Sequence, residues 1–72
     1  MKKSYKIEVE CANCAAKMEA AIARVAGVRH ATVNFLLQKL VIEFAEGSQP
    51  TEVMAEVLHT CRKIEPDCAI EL

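Results

Sequence analysis

Tyr5, Ile7 and Val9 alternate with Lys6 and Glu8, which is the period of a half-buried strand. Glu10 to Asn13 interrupt the alternation and predict a short loop. From Cys14 the period lengthens: Cys14, Met18, Ala21, Ile22 and Val25 fall on one helical face. The alanines among them favour helix, and Gly27 predicts its C-terminal stop. Val28 to Phe35, rich in β-branched residues, predict a second strand, and Leu36 to Lys39 a turn. Leu40, Ile42 and Phe44 alternate through a third strand. Gly47-Ser48-Gln49-Pro50 break the pattern, and Pro50 suits the first turn of a second helix. Val53, Val57, Cys61 and Ile64 form its apolar stripe, flanked by Met54 and Leu58. Glu65-Pro66-Asp67 end it. Cys68, Ile70 and Leu72 alternate with Ala69 and Glu71 as a last strand.

The order is therefore βαββαβ. Two helices covering one face of a four-stranded antiparallel sheet give an α+β, ferredoxin-like arrangement. Seventy-two residues suffice for one domain, expected to span 1–72, and no internal repeat or linker divides them. The apolar share of 53% favours a packed core over disorder. The net charge is −1, from nine basic and ten acidic side chains well mixed along the chain. That balance argues against nucleic acid or an anionic membrane as the main partner. No apolar run approaches the ~20 residues that cross a bilayer. The lysines near the start are followed by no apolar segment of a secretory signal. A cytoplasmic, monomeric domain is the expectation, either free or as part of a larger protein.

The chain carries four cysteines. Without an export signal, a Cys-x-x-Cys pair reads as a metal or redox site rather than a disulfide framework. That pair is Cys11 and Cys14, in Glu10-Cys11-Ala12-Asn13-Cys14. The first cysteine falls in the loop and the second in the opening turn of the helix. A helix N-terminus presents unpaired N–H groups and partial positive charge, which favour thiolate over thiol. Thiolates ligate soft and borderline ions such as Zn(II) and Cu(I).

Cys-Ala-Asn-Cys-Ala-Ala-Lys-Met-Glu, at residues 11–19, resembles the metal loop of heavy-metal-associated domains. Gly27-Val28 and Val33-Asn34-Phe35 stand where that family places similar residues. The resemblance covers essentially the whole chain. It implies a metal site at Cys11 and Cys14, one ion per chain and no enzymatic activity of the domain itself. It also implies a metal-transporting P-type ATPase as partner, with this chain as its N-terminal domain or as a separate metallochaperone. Copper-type members carry Gly-Met and a small polar residue before the first cysteine, where this chain has Glu8-Val9-Glu10. An acidic residue in front of the first cysteine resembles the zinc, cadmium and lead branch instead. Two thiolates leave Zn(II) neutral and short of the four ligands it prefers. Glu10 is thus a candidate third ligand, and Zn(II) or Cd(II) is favoured over Cu(I). A Cu(I) metallochaperone is the alternative, and a thiol oxidoreductase a third reading on the Cys-x-x-Cys spacing alone.

Cys61 and Cys68 fall on apolar stripes, where cysteine often serves as a small buried hydrophobe. In this family's fold, however, the end of the second helix approaches the metal loop, so Cys61 is also a candidate extra ligand. Lys63 resembles the lysine with which copper chaperones offset thiolate charge, although a cation at a helix C-terminus needs no such role. His30 and His59 lack any spacing to the cysteine pair and read as surface residues, and Met18 reads as core.

Overall fold

The computed structural model describes residues 2–71. Strand β1 (Lys2–Glu8) leads into helix α1 (Ala12–Ile22), then strands β2 (Val28–Asn34) and β3 (Lys39–Phe44). Helix α2 (Pro50–Ile64) and strand β4 (Ala69–Glu71) complete the βαββαβ order. The sheet order is β2-β3-β1-β4, and every neighbouring pair is antiparallel. The ferredoxin-like expectation holds. Leu72, which the alternation places in the last strand, lies outside the described residues. No described helix is long and apolar enough to cross a membrane.

The core forms where both helical stripes meet the sheet. Ala15, Met18 and Ile22 come from α1, and Val53, Val57 and Cys61 from α2. They pack with Ile7, Leu40, Ile42 and Phe44 of the sheet, all at most 2% exposed. The strict alternation of β3 survives intact, with Leu40, Ile42 and Phe44 buried.

β2 departs from a simple period of two. Val28 pairs with Phe44, but His30 pairs with Glu43, so Arg29 is the extra residue of a bulge. The half-buried positions therefore run Val28, Ala31, Val33, shifted by one residue after the bulge.

Two boundaries differ from the expectation. α1 begins at Ala12, with Cys11 as its N-cap, and ends at Ile22 rather than at Gly27. Turns carry the chain onward, with the Val25 N–H donating to Ile22 O at 3.0 Å and the Val28 N–H to Val25 O at 3.1 Å. Gly27 has φ of 92°, and a Cβ built there would lie 2.7 Å from Val53 Cγ2. Its place is thus fixed by left-handed backbone and by close approach to α2, not by ending α1.

Candidate metal site

Two interactions aim the end of β1 into the site loop. Gln38, in the turn between β2 and β3, accepts the Ile7 N–H at its carbonyl, 3.1 Å away. Its Oε1 accepts the Val9 N–H at 2.8 Å, and its Nε2 donates to Phe35 O at 2.8 Å. The φ of 52° at Gln38 sets it in the left-handed region that such a tight turn needs. Val9 itself is buried at 3% exposure, so the chain leaves the core only at Glu10.

Cys11 then caps α1. Its Sγ accepts the Cys14 N–H at 3.2 Å, and the Ala15 N–H donates to Cys11 O at 2.9 Å. Cysteine is not a favoured N-cap; Asn, Asp and Ser rank first because oxygen accepts well. A thiol sulfur accepts weakly, so the position suits a thiolate. The first turn of α1 holds no acidic side chain, which leaves its partial positive charge to the sulfurs.

The two thiols respond in opposite directions. The Cys14 thiol donates to Cys11, which lowers the Cys11 pKa, helped by the Cys14 and Asn13 N–H groups and opposed by desolvation and Glu65. Donating to Cys11 raises the Cys14 pKa, with burial, the Cys11 charge and Glu65 adding to the rise and Lys17 opposing it. Cys11 is therefore the first of the two to ionise.

Glu10 is exposed, and its backbone N–H donates to Glu65 Oε1 at 3.4 Å. Glu65 is the residue that sequence reasoning missed as a site component. It is the C-cap of α2, and its charge acts on both Cys11 and Cys14. The approach of the second helix's end to the metal loop was the available signal, but it pointed to Cys61.

The structure sets Cys61 in the core at 0% exposure, where burial and its bond to the Cys68 thiol push its pKa up to about 12. It is not brought to the Cys11–Cys14 pair as the candidate ligand role requires, because the apolar stripe of α2 turns it into the core. Cys68 is 1% exposed beside it. Lys63 is exposed on the last turn of α2, and the cation that acts on Cys14 is Lys17. His30 and His59 are exposed. Among the described residues, no three histidine, cysteine or acidic side chains form a ready-made metal cage. The two sulfurs of Cys11 and Cys14 are the soft groups that the start of α1 brings together.

The family description "heavy-metal-associated domain" matches residues 4–64. A search of curated protein sequences finds no match. Among solved structures, similarity extends to the N-terminal domain of a potential copper-translocating P-type ATPase from Bacillus subtilis in its Cu(I)-loaded state. That domain is 25% identical with a TM-score of 0.74, covering 99% of this chain and 84% of the other. The N-terminal domain of PacS from Synechocystis PCC6803 is 24% identical with a TM-score of 0.69, covering 99% and 94%. A CopZ metallochaperone shares the fold at 14% identity and a TM-score of 0.74, covering 99% and 100%.

Proposed function

The chain belongs to the heavy-metal-associated domain family, whose members are metal-binding modules rather than enzymes, and from that premise we propose that Cys11 and Cys14 hold its ion. The whole of residues 1–72 acts as one such domain, and it passes its ion to, or within, a metal-transporting P-type ATPase. The carrying observation is the capped thiol pair: Cys11 Sγ accepts the Cys14 N–H at 3.2 Å, so both sulfurs sit at one helix N-terminus. Two thiolates at the surface leave an ion's remaining positions open to a partner. Hand-over then proceeds by exchange, with an entering thiolate bonding to the ion as Cys11 or Cys14 leaves.

The favoured cargo is a divalent ion of the Zn(II), Cd(II) or Pb(II) type. Two thiolates neutralise a dication, and the Glu65 charge that acts on both cysteines, with acidic Glu10 next to Cys11 in sequence, favours further positive charge. The second reading is Cu(I), which the similarity to the Cu(I)-loaded Bacillus subtilis domain favours.

Competition titrations with Zn(II), Cd(II) and Cu(I) under reducing conditions test both readings. One ion per chain, with sulfur-to-metal charge-transfer bands and release of protons, is the expected result. Tight binding that survives replacement of both Cys11 and Cys14 by Ser would place the site elsewhere. Tighter retention of Cu(I) than of the divalent ions, each measured against a matched chelator, would favour the copper reading.

A further inference from the structure

We infer that Cys61 and Cys68 are a reversible redox site, at which a small-molecule disulfide oxidises the two thiols to one intramolecular disulfide that ties the end of α2 to the start of β4. Neither thiol serves in the metal reading above. Cys61 lies in the last turn of α2, and Cys68 directly precedes β4. Both are free thiols, 0% and 1% exposed, in one core cluster. The Cys61 thiol donates to the Cys68 sulfur, so the two side chains already meet. The backbone between them is tightly folded. The Glu65 N–H donates to Cys61 O at 2.9 Å, and the Cys68 N–H donates to Glu65 O at 2.9 Å. Arg62 Nε donates to Cys68 O at 3.1 Å and closes the same span from the helix side. Sulfurs that meet on a fixed backbone need little further movement to bond.

Thiol–disulfide exchange needs a thiolate and a way in. Both come from the edge of the sheet. β4 has three residues and pairs with β1 alone, so its opening costs least among the strands. That opening bares Cys68, whose sulfur is the acceptor of the pair and ionises before Cys61. The Cys68 thiolate attacks one sulfur of the small disulfide. A mixed disulfide forms, and one small thiolate leaves and takes up a proton. The Cys61 sulfur then attacks Cys68 Sγ, and the second small thiolate leaves with the Cys61 proton. Two cysteine sulfurs are oxidised, and the small disulfide is reduced to two thiols.

The bond suits its place. It replaces two buried S–H groups by an apolar S–S group within a core of apolar side chains. It closes the loop from Cys61 to Cys68, which restricts the unfolded chain. It also pins the span that carries Glu65, whose Oε1 accepts the Glu10 N–H at 3.4 Å. Oxidation at this pair thus tightens the fold without consuming Cys11 or Cys14.

The metal-free parent chain is equilibrated with glutathione disulfide in excess over glutathione, quenched with an alkylating reagent and cut with trypsin. Cleavage after Arg62 and Lys63 separates Cys61 from Cys68, whereas Cys11 and Cys14 share the peptide that ends at Lys17. The expected product is the Cys61 peptide joined to the Cys68 peptide by a bond that a dithiol reductant cleaves. In Cys11→Ser/Cys14→Ser only the core pair can react, and its oxidised form should melt higher than its reduced form by on the order of 10 °C. Amide exchange of Ala69 to Glu71 should slow in the same sample. Adding Cys68→Ala to that variant should abolish both changes, and a gain in melting temperature that survives it would overturn the assignment. Mapping of the parent decides the matter even if that variant fails to fold. Core thiols that stay reduced, lasting glutathione adducts on them, or links from Cys61 or Cys68 to Cys11, Cys14 or another chain would overturn the proposal. So would an oxidised form that melts no higher than the reduced one.

Discussion

Cys11 with Cys14, and Cys61 with Cys68, are built alike and behave in opposite ways. In each pair one thiol donates to the other: Cys14 to Cys11, and Cys61 to Cys68. The accepting sulfur should therefore ionise more easily in both. It does so only in the first pair. Cys11 also collects backbone N–H groups at the start of α1, and its pKa falls. Burial dominates at Cys68, so its pKa rises despite the bond from Cys61 and the nearby Arg62 charge. The difference between a candidate ligand and a core residue thus lies in solvent and free backbone donors, not in the sulfur pair itself.

The largest expected consequence is in reactivity. Under native, reducing, metal-free conditions at neutral pH, an alkylating reagent should modify Cys11 first and Cys14 next. Cys61 and Cys68 should react only through opening of the core, on the order of 10³-fold more slowly or beyond. Peptide mass mapping over time reads the order directly. Cys61 labelling at the pace of Cys14 would erase the contrast. Raising the pH should speed both outer thiols, because thiolate is the nucleophile, and should narrow the gap between Cys11 and Cys14 as the raised Cys14 pKa is approached.

Metal binding should divide the pairs next. Cys11→Ser/Cys14→Ser should weaken Zn(II) or Cd(II) by more than about 100-fold, above the usual range of changes around a ligand. Cys61→Ala should bind one ion with unchanged charge-transfer intensity. A fall in that intensity would bring Cys61 back as a ligand and break the division.

Stability should move the other way. Cys61 is fully buried beside Val57 and Met54 in the core, and removing its sulfur leaves a small void costing about 1–2 kcal/mol. For a domain of this size each 1 kcal/mol lowers the melting temperature by about 4–8 °C. The sign with pH is also fixed. The folded pKa of Cys61, about 12, lies above its ordinary 9.0, so the unfolded chain loses this proton first. Stability from this thiol is present below about 9.0 and is lost as pH rises toward about 12. Denaturant titrations should show that alkaline decline in the parent and a flatter one in Cys61→Ala.

The contrast between the pairs also marks what could be read without a structure. The two helices, four strands and apolar stripes follow from local periodicity, and the Cys11–Cys14 spacing is local as well. The bulge at Arg29 leaves no such trace, since one extra residue in β2 changes phase without changing composition. Gly27 reads locally as a helix stop, but its demand comes from Val53, across the fold. The start of α1 is displaced because Cys11 is a poor N-cap by composition and acts as one here. Glu65 is the strongest case. It reads as part of a breaker, Glu65-Pro66-Asp67, and only the βαββαβ topology brings it to Glu10, 55 residues away in sequence. Gln38 is hidden for the same reason, since its bond to the Val9 N–H spans 29 residues.

Glu10 gives the smallest expected effect and the finest test of how the site divides its labour. Its position before Cys11 made it the obvious carboxylate, yet the group it contributes to a contact is its backbone N–H, given to Glu65 Oε1 at 3.4 Å. Replacing the side chain by Ala leaves that N–H in place. What disappears is one exposed negative charge on the residue next to Cys11. An exposed charge pair contributes about 0.2–1 kcal/mol, which corresponds to less than about fivefold in affinity. Glu10→Ala should therefore weaken Zn(II) or Cd(II) by a few fold at low salt. Raising ionic strength to about 1 M, where the screening length is near 3 Å, should remove most of that difference. A ligand bond would behave otherwise, since direct coordination resists screening. A loss of tenfold or more that persists at high salt would make Glu10 a ligand in its own right.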